Sequence, residues 1–141
     1  MATVLNPYLN FRGNAREAME FYKDVFGGTL TTATFADFHA SSDASEDNLV
    51  MHSDLEGPDG LRLMGSDVPH RMDYQPGTND FSVSLSGGPE NDAALRGYFE
   101  KLSEGGTVTM PLEVAQWGDA FGMCTDRFGV SWLVNIAAAK E

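Results

Sequence analysis

Two periods alternate along this chain. Residues 3–12 (TVLNPYLNFR) read as a strand, with Pro7 near its start marking an edge or irregular stretch. Gly13 turns the chain, and Asn14 with Glu17 three positions later forms a variant of the capping-box pattern. Ala18, Phe21, Tyr22, Val25 and Phe26 then fall at i, i+3, i+4, i+7 and i+8, one apolar face of a helix that Gly27-Gly28 stops. The period returns to two. Strands are predicted at 29–38, rich in Thr and aromatics, and at 49–56, with the polar stretch 39–48 between them as a loop. GPDG at 57–60 is a turn signal, and 61–67 is its hairpin partner.

After 68–79, a linker with two prolines and a glycine, the pattern starts again. DFSVSLSG (80–87) alternates strictly. Asn91 or Asp92 caps a helix with Leu95, Tyr98, Phe99 and Leu102 on its apolar face, and Gly105-Gly106 stops it. Strands follow at 107–112, 120–126 and 129–136, the last two joined by the DRFG turn that Asp126 caps through its backbone. Gly27 and Gly105 lie 78 positions apart, and Asn14 and Asn91 lie 77 apart. The chain is therefore an internal repeat: βαβββ over 3–67, linker 68–79, βαβββ over 80–137, an α+β fold with curled antiparallel or mixed sheets. Each module buries one sheet face under its own helix. The other face needs a partner, so the 141 residues are expected to act as one domain.

Composition narrows the function. With 42% hydrophobic and 21% charged residues, a packed core is expected and disorder is not. The net charge of −12 without a basic cluster argues against nucleic acid and anionic membranes as partners. No apolar run approaches the ~18 residues of a membrane span. The first residues do not have the pattern of an export signal, and a single cysteine fits the cytoplasm.

The stretches YLNFRGNAREAMEFYKDVFGG (8–28), VMHSDL (50–55), EGGTVTMPL (104–112) and WGDAFGMCTDRFGVSWLVN (117–135) carry a resemblance. With the tandem repeat, they are similar to the vicinal oxygen chelate superfamily of glyoxalases, bleomycin resistance proteins and extradiol dioxygenases, and within it to the PhnB-like group. That resemblance implies facing curled sheets around a concave cup and a homodimer. Members of the group often carry a methyltransferase label. No glycine-rich nucleotide-binding strand–loop–helix supports that activity here.

Metal-dependent members of the superfamily place ligands on the first and last strand of each module. The matching positions in this chain are Pro7, Met64, Ser82 and Leu133. A first-row divalent metal wants about three His, Glu or Asp ligands, and none stands there. The expectation is no metal and no other cofactor. A metal elsewhere would need His52 and Asp54, which share a strand face with Glu56, and a further ligand such as Asp37. The competing reading is that His52 bonds a neighbouring strand and the acids reach solvent. His39 and His70 fall in loops and read as solvated.

Counting faces gives the expected cup. The first strand supplies Leu9 and Phe11, with Tyr8 as core; the second supplies Phe35 and Asp37. His52 comes from the third and Arg62, Met64 and Ser66 from the fourth. The second module adds Ser82, Ser84 and Ser86, then Ser131, Leu133 and Asn135, with Trp117 and Phe121 at the mouth and Trp132 under the helix. This is the character of a small-molecule pocket, although the same residues equally suit packing between modules. Cys124 reads as a buried inert thiol, no serine has a hydrolase elbow, and GGPE (87–90) lacks the features of a phosphate loop.

Two functions remain open. One is a metal-free homodimer that binds a small aromatic or amphipathic molecule, in the manner of bleomycin resistance. The other is an enzyme: a divergent glyoxalase-like lyase or isomerase, or a dioxygenase, using His52 as candidate catalytic residue with nearby acids. A structural dimer whose cup is filled by its own side chains is a third.

Overall fold

The computed structural model describes residues 3–76 and 81–139. The chain divides into two compact units between Pro76 and Gly77. Residues 77–79 of the expected linker and Asp80, the expected start of the second module, lie outside the described residues.

Unit 1 runs β1 (Tyr8–Phe11), α1 (Ala15–Phe26), β2 (Thr29–Thr34), β3 (Val50–Glu56) and β4 (Arg62–Asp67). Its sheet has the order β1-β4-β3-β2, with β1 parallel to β4 and the other pairs antiparallel. Unit 2 repeats this with β5 (Val83–Gly87), α2 (Asp92–Ser103), β6 (Thr107–Val114), β7 (Ala120–Thr125) and β8 (Ser131–Ile136), in the order β5-β8-β7-β6. The α+β βαβββ repeat is thus as the periodicity predicts. The first strand begins only at Tyr8, after Pro7, and β2 ends at Thr34, where a 3-10 turn at Ala36–Phe38 replaces the expected continuation.

Each helix lies on one face of its own sheet. In α1 the buried face is Ala15, Ala18, Met19, Tyr22, Val25 and Phe26. Its larger side chains each gain roughly 1.5–3 kcal/mol from full burial. Opposite them lie Ser53, Leu55 and Leu63, with Gly65 so close that a Cβ there would meet Met19 Sδ at 3.1 Å. In unit 2, Leu95, Phe99 and Leu102 of α2 and Cys124, Trp132, Val134 and Ile136 of β7 and β8 are all buried.

Two buried carboxylates organise the units. Neither Asn14 nor Asn91 caps its helix through its side chain. At α1 that work falls to Asp67, at the end of β4. Its Oδ1 accepts from Gly13 N (2.7 Å) and Ala15 N (3.0 Å), and its Oδ2 accepts from Val50 N (2.9 Å). In unit 2, Asp126 Oδ1 accepts from Phe128 N (2.8 Å) and Val130 N (3.0 Å), as its turn position predicts. Its Oδ2 also accepts from the indole Nε1 of Trp132 (2.9 Å).

The double glycines after the helices have separate tasks. Gly27 and Gly105 take positive φ. Gly28 and Gly106 let two backbones touch: a Cβ would lie 2.1 Å from Glu56 O at the first and 2.1 Å from Thr125 O at the second.

Residues after β4 are tied back to unit 1. Val68 N donates to Phe11 O (2.7 Å), and Arg12 donates to the carbonyls of Pro69 and Met72 while lying over the Tyr74 ring. Among the described residues, no helix is long and apolar enough to cross a membrane.

Candidate functional site

The helix-free face of the unit 1 sheet collects the chemistry. β3 and β4 pair Asp54 with Met64 and Glu56 with Arg62, and β1 sets Tyr8 beside Met64. Because strand side chains alternate, His52, Asp54, Arg62, Met64 and Tyr8 all point away from α1. Tyr8 reaches across β4 to His52. Their rings stack at 5.7 Å and 25°, and the Tyr8 hydroxyl and His52 Nδ1 share a hydrogen bond of 3.2 Å. That bond leaves Nε2 as the second ring nitrogen for a ligand. Beside this pair, Arg62 Nε donates to Asp54 Oδ1 (3.0 Å) and its NH2 to Asp54 Oδ2, a bidentate fork. The Arg62 hydrogen bonds hold the Asp54 carboxyl below its ordinary value, and Asp54 raises Arg62 in turn.

Four residues expected in the cup stand elsewhere: Leu9 and Phe11, which share the α1 side of β1, Phe35 and Asp37. Phe11 is 2% exposed, and its ring lies 3.4 Å from where a Gly65 Cβ would sit, beside Met19. It belongs under α1, and Tyr8, 44% exposed, takes the open-face place. The parallel register of β1 with β4 decides this: Leu9 pairs with Gly65 and Phe11 with Asp67. Phe35 follows the end of β2 and is buried in the unit 1 core. Asp37 closes the 3-10 turn, accepting from Thr34 N (2.9 Å) while its own N donates to Thr34 Oγ1 (3.2 Å). The Thr34 backbone N–H is the main cause of its lowered pKa. A carboxylate so engaged makes a poor partner for His52.

In unit 2 the helix-free face follows the sequence reading of β5 and β8. Ser84 pairs with Leu133, Ser86 with Asn135 and Phe121 with Asn135, so these alternate with buried Leu85, Trp132 and Val134. Ser82 is exposed and precedes β5, outside the ladder. Trp117, 64% exposed, packs edge-on against Phe121 at 5.6 Å. Below, Asp119 accepts from Ala138 N (3.0 Å) and Asn135 Nδ2 (3.2 Å), which lower its pKa. Cys124 is 1% exposed, and burial pushes its thiol pKa up, as expected of an inert core cysteine.

His70 is exposed in the segment after β4, as read, and is also held to Glu46 and Asp43. Its backbone N donates to Glu46 Oε2 (2.6 Å), and its Nδ1 stands 3.5 Å from Glu46 Oε2 and 3.6 Å from Asp43 Oδ2.

A model of the glyoxalase/bleomycin resistance protein/dioxygenase superfamily matches residues 4–134. The chain belongs to that superfamily. It is 28% identical over 140 residues to Protein YjdN of Escherichia coli K12, covering 94% of each chain. Among solved structures, protein PA1353 of Pseudomonas aeruginosa matches at a TM-score of 0.84 with 37% identity, over 98% of this chain and 100% of that one. A PhnB protein from Bacillus cereus matches at 0.66 with 25% identity, over 96% of this chain and 100% of that one.

At the positions of the superfamily's metal ligands stand Pro7, just before β1, Met64 on β4, Ser82, just before β5, and Leu133 on β8. A proline ring, a thioether, a hydroxyl and an alkyl chain do not make a site for a first-row divalent ion. The residues at these positions do not fit the metal of the metal-dependent members.

The lowered carboxylates set an acid response. Asp37, Asp54 and Asp119 have folded pKa values below their unfolded ones, so their stabilisation is full above the ordinary carboxylate value of about 3.9 and is lost as pH falls through the folded values. The urea midpoint is therefore expected to hold level from about pH 7 to 5 and to drop below about pH 4. Asp54→Asn flattens part of that drop.

Proposed function

We propose that this protein is a small-molecule-binding homodimer of the bleomycin-resistance type whose binding face needs no metal, acting in the cytoplasm. The observation that carries the proposal is the helix-free face of unit 1. It offers a ring pair, Tyr8 and His52, next to a fixed Asp54–Arg62 fork and the thioether of Met64. A planar aromatic group stacks on such rings while its polar edge meets the imidazole and the fork. The exposed Trp117–Phe121 pair of unit 2 gives a second aromatic contact surface. The acidic balance, −12, disfavours strongly anionic ligands.

A second reading is a lyase, isomerase or dioxygenase with His52 as acid–base residue. One feature favours it: the Tyr8 hydroxyl orients the ring and leaves Nε2 for a substrate. It ranks second because Asp37 is held by Thr34 and Asp54 by Arg62, so the acids that would assist His52 are engaged.

The test uses chelator-treated protein titrated with indole and with metal-free bleomycin, read by the ring resonances of Tyr8 and His52. Saturable shifts with chelator present, weakened at least ~5-fold by Tyr8→Ala, are expected. Binding that appears only after a divalent metal is added, or a turnover abolished by His52→Ala, would replace this reading with the enzyme.

A further inference from the structure

Away from the faces described above, unit 1 brings together three side chains whose sequence separation hides them. Asp43 and Glu46 flank a 3-10 turn at Ala44–Glu46, and His70 follows β4. One ligand atom from each of the three residues lies within 4.8 Å of the other two. We propose that Asp43, Glu46 and His70 form a binding site for a divalent transition metal of the zinc class, separate from the superfamily's metal position.

Two of the three spacings match those of coordination. Ligand atoms bound to a tetrahedral ion at about 2.1 Å stand about 3.4 Å apart. His70 Nδ1 is 3.6 Å from Asp43 Oδ2 and 3.5 Å from Glu46 Oε2, longer than good hydrogen bonds and close to that tetrahedral edge. The donors are held before any ion arrives. Ser41 Oγ donates to Glu46 Oε1 (2.6 Å) and His70 N to Glu46 Oε2 (2.6 Å). Asp43 Oδ1 accepts from Ser45 N (2.9 Å) and Ser45 Oγ (2.7 Å), which turns Oδ2 toward the imidazole. Such outer hydrogen bonds fix ligand orientation in metal sites.

The donor set chooses the ion. One imidazole with two carboxylates suits zinc and its neighbours and is a poor match for calcium or magnesium, which prefer all-oxygen ligands. Glu46 is 4% exposed, whereas His70 and Asp43 have half-exposed side chains, so water can complete the coordination. The bound ion would lock the 39–48 loop to the segment after β4. Catalysis is not implied.

Isothermal titration of chelator-treated full chain with zinc chloride tests this. One equivalent is expected to bind, weakened at least ~10-fold by His70→Ala and by Asp43→Asn and unchanged by His52→Ala. Asp43→Asn keeps the Ser45 acceptor, and both altered side chains are half-exposed, so circular dichroism is expected to show intact folding. Saturating zinc is also expected to raise Tm of the wild type by about 5 °C and to leave His70→Ala unmoved. Zinc binding that survives His70→Ala, or no binding below ~1 mM zinc, would overturn the proposal.

Discussion

Asp67→Ala is expected to destabilise the protein by about 3–5 kcal/mol, seen as a large fall in the urea midpoint with an unchanged slope. Asp67 is 3% exposed and accepts three backbone hydrogen bonds, from Gly13, Ala15 and Val50. Alanine leaves all three N–H groups without their acceptor, and each such buried donor costs about 1–3 kcal/mol. Asp67→Asn recovers only part of the loss. An amide keeps one acceptor oxygen, and its NH2 then faces an N–H that also needs an acceptor. The effect reaches the candidate site, because Asp67 joins the entry of α1 to the starts and ends of β3 and β4, the strands that carry His52 and Arg62. In unit 2, Asp126 holds the β7–β8 turn through Trp132 and two backbone N–H groups.

Gly28→Ala and Gly97→Ala are expected to change stability in opposite directions. At Gly28, φ is +96° and a Cβ would fall 2.1 Å from Glu56 O and 2.7 Å from Gly57 Cα. Both obstacles are backbone, so no side chain can swing aside. The edge strand β2 must separate from β3 at the Thr29–Glu56 pair, and the loss is expected to reach at least about 3 kcal/mol. Gly97 lies inside α2 with nothing within 4 Å of a Cβ. Alanine there has better helix propensity and a less flexible unfolded chain, worth about 0.5–1 kcal/mol of added stability. Urea midpoints of the two variants measure both signs. Comparable behaviour at the two sites would show that the β2–β3 contact is not as tight as described.

The repeat and its helical faces were legible because periods of 3.6 and 2 are local signals. Where a strand was long and regular, its facing was legible too: His52 and Arg62 came out on one face, and Ser84 and Leu133 on another. The errors came from relations that no local pattern carries. The sequence pattern includes Pro7 in the first strand, and alternation from it places Leu9 and Phe11 on the open face and Tyr8 in the core. The strand starts at Tyr8, and its side is set by parallel pairing with a segment more than fifty residues away. Asn14 looked like a helix cap, yet the capping carboxylate is Asp67, brought in by the sheet. His70 is exposed as the sequence suggests, but its contact with Glu46 is not legible there, because the two are remote in sequence. Phe35 and Asp37 were expected to continue β2. The bulge between Ala33 and Thr34 and the 3-10 turn after it send them elsewhere.

The proposed function requires the Tyr8–His52 face to work without a metal. The most direct test follows the ring nitrogens of the three histidines by long-range proton–nitrogen NMR while zinc is added to chelator-treated protein. His52 is expected to stay at its metal-free position, still paired with Tyr8, through one equivalent of zinc, while His70 moves. A stoichiometric shift of the His52 ring nitrogens would contradict it and place a metal centre on the face described here as an organic binding surface.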